Sequence, residues 1–536
     1  MRSNLVIFSA ELISPELQVF FGALPSALVP FEGKTALDFI YFENKNHYKT
    51  IYIVAYRNVE LIQQYIENKQ YDIQLITLDR VQDLAYTLSY CLSKLKNLSE
   101  TTFIFGDTYL PYMSSFLDQQ NVVFYAHAKD CARWTVLSFD LEQIHFIDKK
   151  ILEAKTEYEV VVGAFHIVSP ENLLQIIHEN PNRSFYQYLE DYFNQFGFEA
   201  VYSKEWIDFG HSDMYFEHKF NVESREFNEI KIDTLNKVLT KTSKNTDKFI
   251  NECSWFLHLP ESLKKYIPKI YSVSLDKNAP SIQMEYLNYL TLHELYIFGN
   301  HKLDVWKKII QQLKALNSEF VAVKSSDLAT LSALNSIYIE KTLARLKDFE
   351  KQELIDFHNE ITINGINYPA IDTYIKSFAR VLNHYQLLEP RPFNIIHGDF
   401  FLANILFDIK LNQLKLVDPR GEFGSSSIFG DNLYEWAKLA HSFDGKYDVI
   451  VSDKFDLFVS SNGSQLLYNL HESELYAPIC DYFYSTCVEE KDIAKVKIIQ
   501  ALLFFSMLPL HKDKPKRQLM MLCKAVELFH PYFIYS

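Results

Sequence analysis

The sequence predicts an α/β protein in two parts: an N-terminal part built on a mixed sheet, then a C-terminal α+β part whose small β-rich lobe precedes a larger helical lobe. Apolar strand-like runs alternate with helix-like runs over residues 1–215, and such alternation is typical of βαβ units. From about residue 219 the pattern changes to short paired strands, and after about residue 300 it is mainly helical. With 536 residues, the chain is long enough for several domains of roughly 100–200 residues each.

Composition narrows the class of protein. The formal net charge is −15, which argues against a nucleic-acid partner because phosphate backbones are bound by clustered Lys and Arg. The six cysteines are scattered without a C-x-x-C pair, as expected of reduced thiols in a cytosol. The start, "MRSNLVIFSAEL", lacks a signal-peptide pattern, and the apolar run at 499–510 is shorter than the roughly 20 residues that span a bilayer. We therefore expect a cytoplasmic protein without membrane insertion, and the oligomeric state stays open.

The elements of the first part follow from hydrophobic periodicity. Its strand-like runs are "NLVIFSA", "TIYIVAY", "DIQLITL", "TTFIFGD", "VVFYAHA" and "YEVVVGAFHIVS". Its helix-like runs are "VELIQQYIENK" and "DLAYTLSYCLSKLKN". In the second part, "HKFNVESREFNEIKI", "NKVLTKTS" and "PSIQMEYL" are predicted strands, and "NTDKFINECSWFLHL" is a predicted helix. We place the domains at 1–217, 218–290 and 291–536.

Two carboxylates and an amide lie between apolar runs in "NIIHGDFFLANILFD" (394–408) and "LKLVDPRGEFG" (414–424). Asp399 and Asn404 have the D-x4-N spacing of a phosphoryl-transfer loop. A carboxylate at Asp399 would take the proton of an acceptor hydroxyl, and Asn404 and Asp418 would hold Mg²⁺ against the phosphates of ATP. Each residue alone could instead cap a helix, sit in a turn or end a strand. The joint pattern favours catalysis, with Asp399 as the catalytic residue.

Such chemistry needs a lysine on a strand ahead of the loop, paired with a helical glutamate. Lys241, at the end of "NKVLTKTS", is our candidate, and Glu252 follows eleven residues later on the predicted helix. Lys237 and Lys244 compete with Lys241. An exposed edge-strand lysine is the structural alternative.

Two further nucleotide-binding positions come from the same part of the chain. Glu285 lies in "MEYL" (284–287), the predicted connector whose backbone would grip adenine. A Gly-rich phosphate loop is missing, and "NVESREFNEI" (221–230) stands in its place. There Ser224 could cap phosphates through backbone N–H groups.

Residues from about 220 to 536 resemble the aminoglycoside phosphotransferase and choline kinase family, through "IIHGDFFLANILFD", "LKLVDPRG" and "GDNLYEWAKLAHS". The resemblance implies a bilobal protein-kinase-like fold, Asp399 as base, and Asn404 and Asp418 as Mg²⁺ ligands. It implies ATP as phosphoryl donor and a hydroxyl of a sugar or amino alcohol as acceptor. The absence of an Ala-Pro-Glu motif after Asp418 disfavours a protein kinase.

For three residues near these motifs, both a functional and a structural interpretation stay open. Asp431 and Glu435 fall where this family builds its acceptor pocket, but they could equally cap and decorate a helix. Arg420 could touch phosphate or pair with Glu422.

The N-terminal part resembles the sugar-1-phosphate nucleotidyltransferases, which have a Rossmann-like fold. In "GALPSALVPFEGKTALDFI" (22–40) the family's Pro- and Lys-containing segment is matched by Pro25, Leu28, Pro30, Gly33 and Lys34. Later landmarks are "FIFGD", "IHFIDKK", "VVVGAFHIVS" and "WIDFGHSDMY". The resemblance implies that Asp107 and Asp208 hold a metal with a second nucleoside triphosphate, CTP or UTP, and that Lys149 meets a sugar phosphate.

This part also departs from the family. The early Gly-x-Gly-x-Arg loop is absent, and the first lysine of the motif is Ser26. Loss of donors near a developing charge can cost about 3 kcal/mol or more of transition-state stabilisation. One reading is an active nucleotidyltransferase, which would make a nucleotide-activated product for bacterial capsule or surface polysaccharide. The other is a domain that has lost transfer activity, and a regulatory or scaffolding nucleotide-binding pseudoenzyme is the alternative for the whole chain.

Overall fold

The structure, a computed structural model, describes residues 2–80, 82–116, 120–129, 133–140, 143–147, 157–212, 215–216, 228–233, 235–328, 331–424, 428–461 and 463–536. The chain divides into two compact units, Met1–Val222 (unit 1) and Glu223–Ser536 (unit 2). The domain limits drawn at 217/218 and 290/291 stay predictions, and the first of them falls outside the described residues.

Unit 1 alternates strands and helices. Its strands are β1 Arg2–Ser9, β2 Pro30–Phe31, β3 Lys34–Thr35, β4 Tyr48–Ala55, β5 Gln74–Thr77, β6 Thr101–Phe105, β7 Thr108–Tyr109, β8 Val122–Ala128, β9 Val136–Asp140, β10 Gln143–Ile147, β11 Tyr158–Ile167, β12 Glu199–Tyr202 and β13 Ile207–Asp208. Its helices are α1 Pro15–Phe21, α2 Ala36–Asn44, α3 Val59–Lys69, α4 Leu84–Lys94, α5 Pro170–Glu179 and α6 Phe185–Phe196.

The central sheet of unit 1 has the strand order β10-β9-β11-β6-β1-β4-β5, with β8 paired to β11 and β12. Strand β1 runs parallel to β4 and β6, whereas β11 runs antiparallel to β6 and β8. Buried apolar side chains form one core on each face of the sheet. This mixed, parallel-rich sheet confirms the predicted α/β class of the N-terminal part.

Unit 2 begins with strands and continues with helices. Its strands are β14 Asn228–Asp233, β15 Val238–Ser243, β16 Ile270–Ser274, β17 Ser281–Glu285, β18 Leu290–Thr291, β19 Lys324–Leu328, β20 Ile361–Ile363, β21 Ile366–Tyr368, β22 Pro392–Ile395, β23 Ile405–Asp408, β24 Gln413–Leu416, β25 Phe429–Gly430, β26 Phe455–Val459 and β27 Gln465–Leu470. Its helices are α7 Thr246–His258, α8 Leu292–Phe298, α9 Leu303–Val321, α10 Leu331–Asn335, α11 Lys341–Glu350, α12 Ile371–His384, α13 Asn432–Phe443, α14 Tyr447–Val451, α15 Tyr476–Cys487, α16 Ile493–Met507 and α17 Pro515–Ile534.

A small antiparallel sheet opens unit 2, with the strand order β14-β15-β17-β16. Helix α7 follows β15 and buries Phe249, Cys253 and Phe256, which recur at helical spacing on one face. The hairpin of β23 and β24 lies further along the chain and pairs with β18.

One sheet of unit 2 was not anticipated. Strands β21-β20-β27-β26 form it within the region that the sequence predicts as mainly helical. Strand β20 runs parallel to β27, pairing Thr362 with Gln465 and Ile363 with Leu466. Pairing at a separation of about 100 residues leaves no local trace in the sequence, which is why the prediction missed it.

The apolar run at 499–510 lies in a longer helical segment than the sequence suggests. In the part of the chain that the structure describes, Glu490–His511 is a segment long and apolar enough to cross a membrane, with a mean hydropathy of 1.7 over its most apolar window. Within unit 2 this segment packs against α11, α13 and α17, and 61% of the window is buried. The same length and composition fit the central helix of a folded core.

Candidate functional site

The loop with Asp399 is held between two elements of unit 2. It follows β22, and a short helical turn at Leu402–Asn404 leads from it into β23. The backbone N–H of Val417 donates to the Asn404 carbonyl at 3.1 Å, and that of Arg420 donates to the His397 carbonyl at 2.9 Å. These bonds fasten the segment after β24, which carries Asp418, against the loop that carries Asp399.

Asp399 and Asn404 are in direct contact. The Asn404 amide Nδ2 donates to the Asp399 backbone carbonyl at 3.0 Å and to its carboxylate Oδ2 at 3.2 Å. The other carboxylate oxygen, Oδ1, lies 2.8 Å from the Lys438 ammonium. Since 38% of the Asp399 side chain is exposed, a substrate can reach it.

The protonation state of Asp399 follows from its neighbours. Burial by itself would raise the pKa of this carboxyl, but the charge and hydrogen bond of Lys438 outweigh burial and hold the pKa below its ordinary value. Asp399 is therefore ionised at neutral pH and able to accept a proton.

Lys241 joins two carboxylates. It lies on β15 between Ile230 of β14 and Ile282 of β17. Its Nζ is 2.7 Å from Glu252 Oε1 and 2.8 Å from Asp418 Oδ1. Burial would lower the pKa of this ammonium, but the two carboxylates outweigh burial and raise the pKa. The structure thus brings the three predicted residues together, and it leaves Lys237 and Lys244 exposed.

Asp418 has an unusual backbone. Its φ is 55°, in the left-handed region that costs most residues about 1 kcal/mol or more. Asp tolerates this region better than most residues because its short polar side chain bonds locally. The strained turn directs one carboxylate oxygen to Lys241, while 56% of the side chain stays exposed.

Buried residues support the loop from behind. His397 is buried, and its Nε2 lies 3.0 Å from the Val417 carbonyl. The Glu435 carboxylate accepts the backbone N–H of His397 at 2.7 Å and that of Gly398 at 2.9 Å. Burial lowers the pKa of His397 to about 4 and raises that of Glu435 to about 7. Neutral His397 therefore donates its Nε2–H to the carbonyl.

Asp431 also supports the framework. It accepts the backbone N–H of Leu433 at 3.1 Å and so caps α13. Its other oxygen, Oδ2, accepts the Tyr338 hydroxyl at 2.5 Å and pairs with Arg391. Of the two interpretations left open for Asp431 and Glu435, the structural one accounts for the contacts of both side chains.

The predictions for the remaining site residues of unit 2 differ in how the structure bears on them. Ser224 lies outside the described residues. Glu285 ends β17, and both its backbone N–H and its carboxylate contact Lys269, so its role stays a prediction. Arg420 Nη1 donates to the Tyr434 hydroxyl at 3.1 Å, and Glu422 accepts from Asn251 instead of pairing with Arg420.

In unit 1, Asp107 and Asp208 converge beside Gly210. A Cβ added to Gly210 would lie 2.5 Å from Asp107 Oδ2 and 3.1 Å from Asp208 Oδ1, so the space between these carboxylates excludes any side chain at this position. Burial, reinforced by the charge of Asp208, raises the pKa of Asp107 to about 6. A divalent cation would relieve this repulsion.

Asp208 is already well supplied with partners. Its Oδ1 accepts the Gly210 N–H at 2.6 Å. Its Oδ2 lies 2.7 Å from Trp134 Nε1 and 2.7 Å from His211 Nδ1. In the described residues the Asp107 carboxylate has fewer hydrogen-bond partners than that of Asp208, and Lys149 lies outside the described residues.

The segment after β1 differs from a phosphate-binding loop. It forms α1, whose Leu17 and Phe21 are buried. Ser26, which replaces the first motif lysine, donates its hydroxyl to Ser9 at 3.3 Å. Residues 9–28 contain no Lys or Arg, so this segment offers no cationic side chain to a triphosphate.

The donor sets fit Mg²⁺ bound jointly with phosphate oxygens. Asn404 uses its amide N–H groups on Asp399, which leaves the amide oxygen, and Asp418 keeps an exposed carboxylate oxygen. Mg²⁺ prefers such oxygens and takes the rest of its shell from water and phosphate. In the described ranges no group of three or more His, Cys, Asp or Glu side chains forms a metal site.

Lys438 is the site residue that sequence reasoning missed. It lies on α13 in "NLYEWAKLAHSF", where Glu435, Lys438 and His441 interrupt an otherwise apolar helix. All ten residues from 434 to 443 are buried. A charged side chain in a buried helix needs a partner of opposite charge. On this rule, a lysine within an apolar helix could have been recognised as a candidate site residue.

The comparisons with known proteins concern fold alone. No protein-family model matches the sequence, and no curated protein matches it. Among solved structures, HddC from Yersinia pseudotuberculosis complexed with GMP-PN is 18% identical, with 41% of this chain and 99% of that chain covered and a TM-score of 0.33. The CTP:phosphocholine cytidylyltransferase LicC from Streptococcus pneumoniae is 16% identical, with 42% and 100% covered and a TM-score of 0.34.

A third similar structure is the inositol-1-phosphate CTP transferase from T. maritima, which is 14% identical, with 40% of this chain and 91% of that chain covered and a TM-score of 0.33. By their names, these three proteins include two cytidylyl or CTP transferases. At TM-scores below 0.5 the similarities carry no conclusion about what this chain does.

Proposed function

We propose that unit 2 is a small-molecule kinase that transfers the γ-phosphoryl group of ATP to a hydroxyl of a sugar or other small alcohol. The observation that carries the proposal is the double contact of Lys241 with Glu252 and Asp418. It unites a strand, a helix and the segment after β24, and protein kinases likewise pair a strand lysine with a helix glutamate for phosphoryl transfer.

The chain's own groups divide the work. Lys241 would bind the α- and β-phosphates, and Glu252 keeps its ammonium in position. Asn404 and Asp418 would hold Mg²⁺, which when bound neutralises the charge of the phosphates. Asp399 Oδ2 would take the proton of the acceptor hydroxyl, while Lys438 on Oδ1 keeps the carboxylate ionised.

For unit 1 the proposal is a nucleotidyltransferase-like domain that binds a nucleotide, CTP or UTP, through Asp107 and Asp208. Two interpretations of unit 1, an active and an inactive transferase, have different consequences. An active domain would convert the phosphorylated product into a nucleotide-activated one for surface polysaccharide synthesis. The cation-free segment at 9–28 and the occupied oxygens of Asp208 favour reduced or lost transfer, and the domain would then bind a nucleotide without chemistry.

An acceptor screen tests the kinase proposal. Purified full-length protein is incubated with Mg-ATP and a panel of sugars and alcohols, and ADP release and acceptor phosphorylation are both measured. We expect turnover that depends on at least one acceptor and disappears in Asp399→Asn. ATP turnover that survives in this variant would overturn Asp399 as the base, and no turnover with any acceptor would leave the pseudoenzyme as the function.

A further inference from the structure

Two cationic side chains, Lys438 and Arg420, act on the Asp399 carboxylate and help to lower its pKa. Lys438 pairs with it directly. Arg420 reaches the Tyr434 hydroxyl at 3.1 Å, and Lys438 Nζ lies 6.0 Å from the centre of the same ring. Both cations thus contact Tyr434, next to the predicted base.

Helix α11 adds two more cations, Lys341 and Arg345, which lie one turn apart. The Tyr338 ring, three residues before Lys341, lies 6.3 Å from the Tyr434 ring, centre to centre, so the start of α11 lies beside the same aromatic ring. Burial, and then the charges of Arg420, Arg345 and Lys438, lower the pKa of Lys341 well below its ordinary value, whereas Asp399 opposes the shift. Arg345 Nη1 donates to the Ser506 carbonyl at 2.8 Å. We call Lys341, Arg345, Arg420 and Lys438 the cationic cluster.

Lys341 is the unusual member of this cluster. Among the described residues it has neither a hydrogen bond nor an ion pair, although its side chain is partly buried and faces like charges. It directly follows a π-helical turn at Ser336–Glu340, a distortion that is frequent at functional sites. A buried cation among cations is unfavourable unless a ligand supplies the counter-charge.

The carboxylates that could serve a cationic acceptor are already in use. Asp431 binds Tyr338, Arg391 and the first turn of α13, and Glu435 binds two backbone N–H groups of the loop. Among the described contacts of this loop, Asp431 and Glu435 are therefore not free to balance an ammonium group that meets the cationic cluster.

We propose that the acceptor is an anionic hydroxyl compound, a sugar or alcohol that already carries a phosphate or carboxylate group, held by the cationic cluster beside Asp399. This inference rests on the kinase function proposed for unit 2. In the transfer, the acceptor O–H bond and the β–γ bridging P–O bond break, a new O–P bond forms, the proton goes to Asp399 Oδ2, and ADP leaves. The anion of the acceptor stays bound at Lys341 and Arg345 throughout.

The test uses matched acceptors with the full-length protein and Mg-ATP: glucose, glucose 6-phosphate, glucuronate and glucosamine, with glycerol, glycerol 3-phosphate and glycerate as a second set. We expect an anionic member to be phosphorylated with a kcat/KM at least about tenfold above its neutral counterpart, the effect of one hydrogen bond between charged groups. The phosphate and carboxylate members distinguish the two kinds of anion.

Lys341→Met should raise the KM for that anionic acceptor by roughly 10–100-fold and leave the KM for ATP unchanged, because Lys341 is not among the nucleotide-binding residues. Lys341→Arg should restore most of the affinity. Lys347→Met, an exposed position on the same helix, is the matched control and should behave as wild type. Removing an unpartnered cation breaks no contact, so the Met variant should fold with unchanged thermal stability.

Each other outcome has a definite meaning. Asp399-dependent transfer that prefers the neutral or ammonium members overturns the anionic acceptor and leaves the kinase standing. An unchanged KM for the anionic acceptor in Lys341→Met also overturns it. Absence of transfer to every member overturns both the inference and the kinase on which it rests.

Discussion

Lys241 is a buried cation between two carboxylates, and only 5% of its side chain is exposed. Removing one partner of a buried ion pair costs about 3–5 kcal/mol because the other charge is left without compensation. The ion pair of Lys241 and Glu252 should therefore affect both stability and catalysis. Substitutions of the two residues can distinguish these two effects.

The first prediction concerns this pair. Lys241→Met should lower kcat/KM for ATP by about 100-fold or more, since the phosphates lose their cation, and should also lower the free energy of unfolding at neutral pH. The double variant Lys241→Met with Glu252→Gln should recover stability without recovering activity. Steady-state kinetics and denaturant unfolding check both quantities, and recovery of activity in the double variant would contradict the assigned role.

A second prediction follows from His397, whose pKa burial lowers to about 4 from the ordinary 6.5. The unfolded chain takes up this proton below pH 6.5, whereas the folded protein takes it up only near pH 4. Stability from the neutral ring is complete above pH 6.5 and is lost as the pH falls from 6.5 to 4, by about 3 kcal/mol. His397→Gln should lose less stability than wild type over this interval in denaturant titrations, and equal losses would refute the assignment.

Sequence patterns identified the charged residues of the candidate site, but they did not identify the side chain that pairs with Asp399. The end of an apolar strand singled out Lys241 over Lys237 and Lys244, and spacing singled out Asp399 and Asn404. The partner Lys438 comes from a helix that begins 28 residues beyond Asn404 (432 − 404), and its contact depends on tertiary packing that no local pattern encodes. The left-handed φ of Asp418 was also unforeseeable, because a following Pro-Arg-Gly does not specify it.

Among the elements, α7 and the segment after Asp418 meet at a glycine. Gly421 has a φ of 75°, and a Cβ there would lie 2.1 Å from the Asn251 carbonyl oxygen and 2.8 Å from the Glu252 backbone nitrogen. These contacts are with backbone, which cannot move aside without shifting α7. The glycine therefore lets the segment approach the helix closely enough for Glu252 and Asp418 to share one lysine.

The third prediction compares two glycines. Gly421→Ala should destabilise the protein by about 3 kcal/mol or more, the sum of left-handed strain and overpacking, and should lower activity further by displacing Glu252. Gly365→Ala is the control: its φ is 81° and its added Cβ meets nothing within 4 Å, so it should cost only about 1 kcal/mol of backbone strain. Thermal unfolding measures the stability of both variants. Equal losses of stability would contradict a role for the close approach of Gly421 to α7.

Elements with strong periodicity were predictable, and elements joined at long range were not. The helix of "NTDKFINECSWFLHL" appears as α7 because its apolar residues recur every three or four positions. The four-stranded sheet of β20, β21, β26 and β27 escaped prediction because its short strands become stable only on pairing. The run at 499–510 lies in a longer helix than the run itself, since the flanking residues continue the helix on both sides, and most of its apolar window is buried.

The whole molecule combines two compact units, and each contributes the residues of one candidate site. The net charge of −15 coexists with local cations at Asp399 and Lys241. The net charge of the whole chain therefore does not predict the charge at a site. The proposed chemistry depends on the individual buried charges around Asp399 and Lys241.

A fourth prediction follows because the two candidate sites share no residue. Asp107→Asn should change kcat/KM for phosphoryl transfer by no more than about twofold, the coupling expected of independent sites, and Asp399→Asn should leave CTP or UTP binding equally unaffected. Transfer assays and calorimetry measure the two quantities. A tenfold loss of phosphoryl transfer in Asp107→Asn would show that the sites depend on each other.

The most direct measurement of the central claim follows labelled γ-phosphate from ATP in wild-type protein and in Asp399→Asn, with Mg-ATP affinity measured in parallel by calorimetry. The account predicts that the label moves to the acceptor in wild type. In the variant, transfer should fall by about 100- to 10,000-fold, as expected on losing a general base, while Mg-ATP affinity stays within a few fold. Binding of Mg-ATP by both proteins with no labelled acceptor from either would contradict the account.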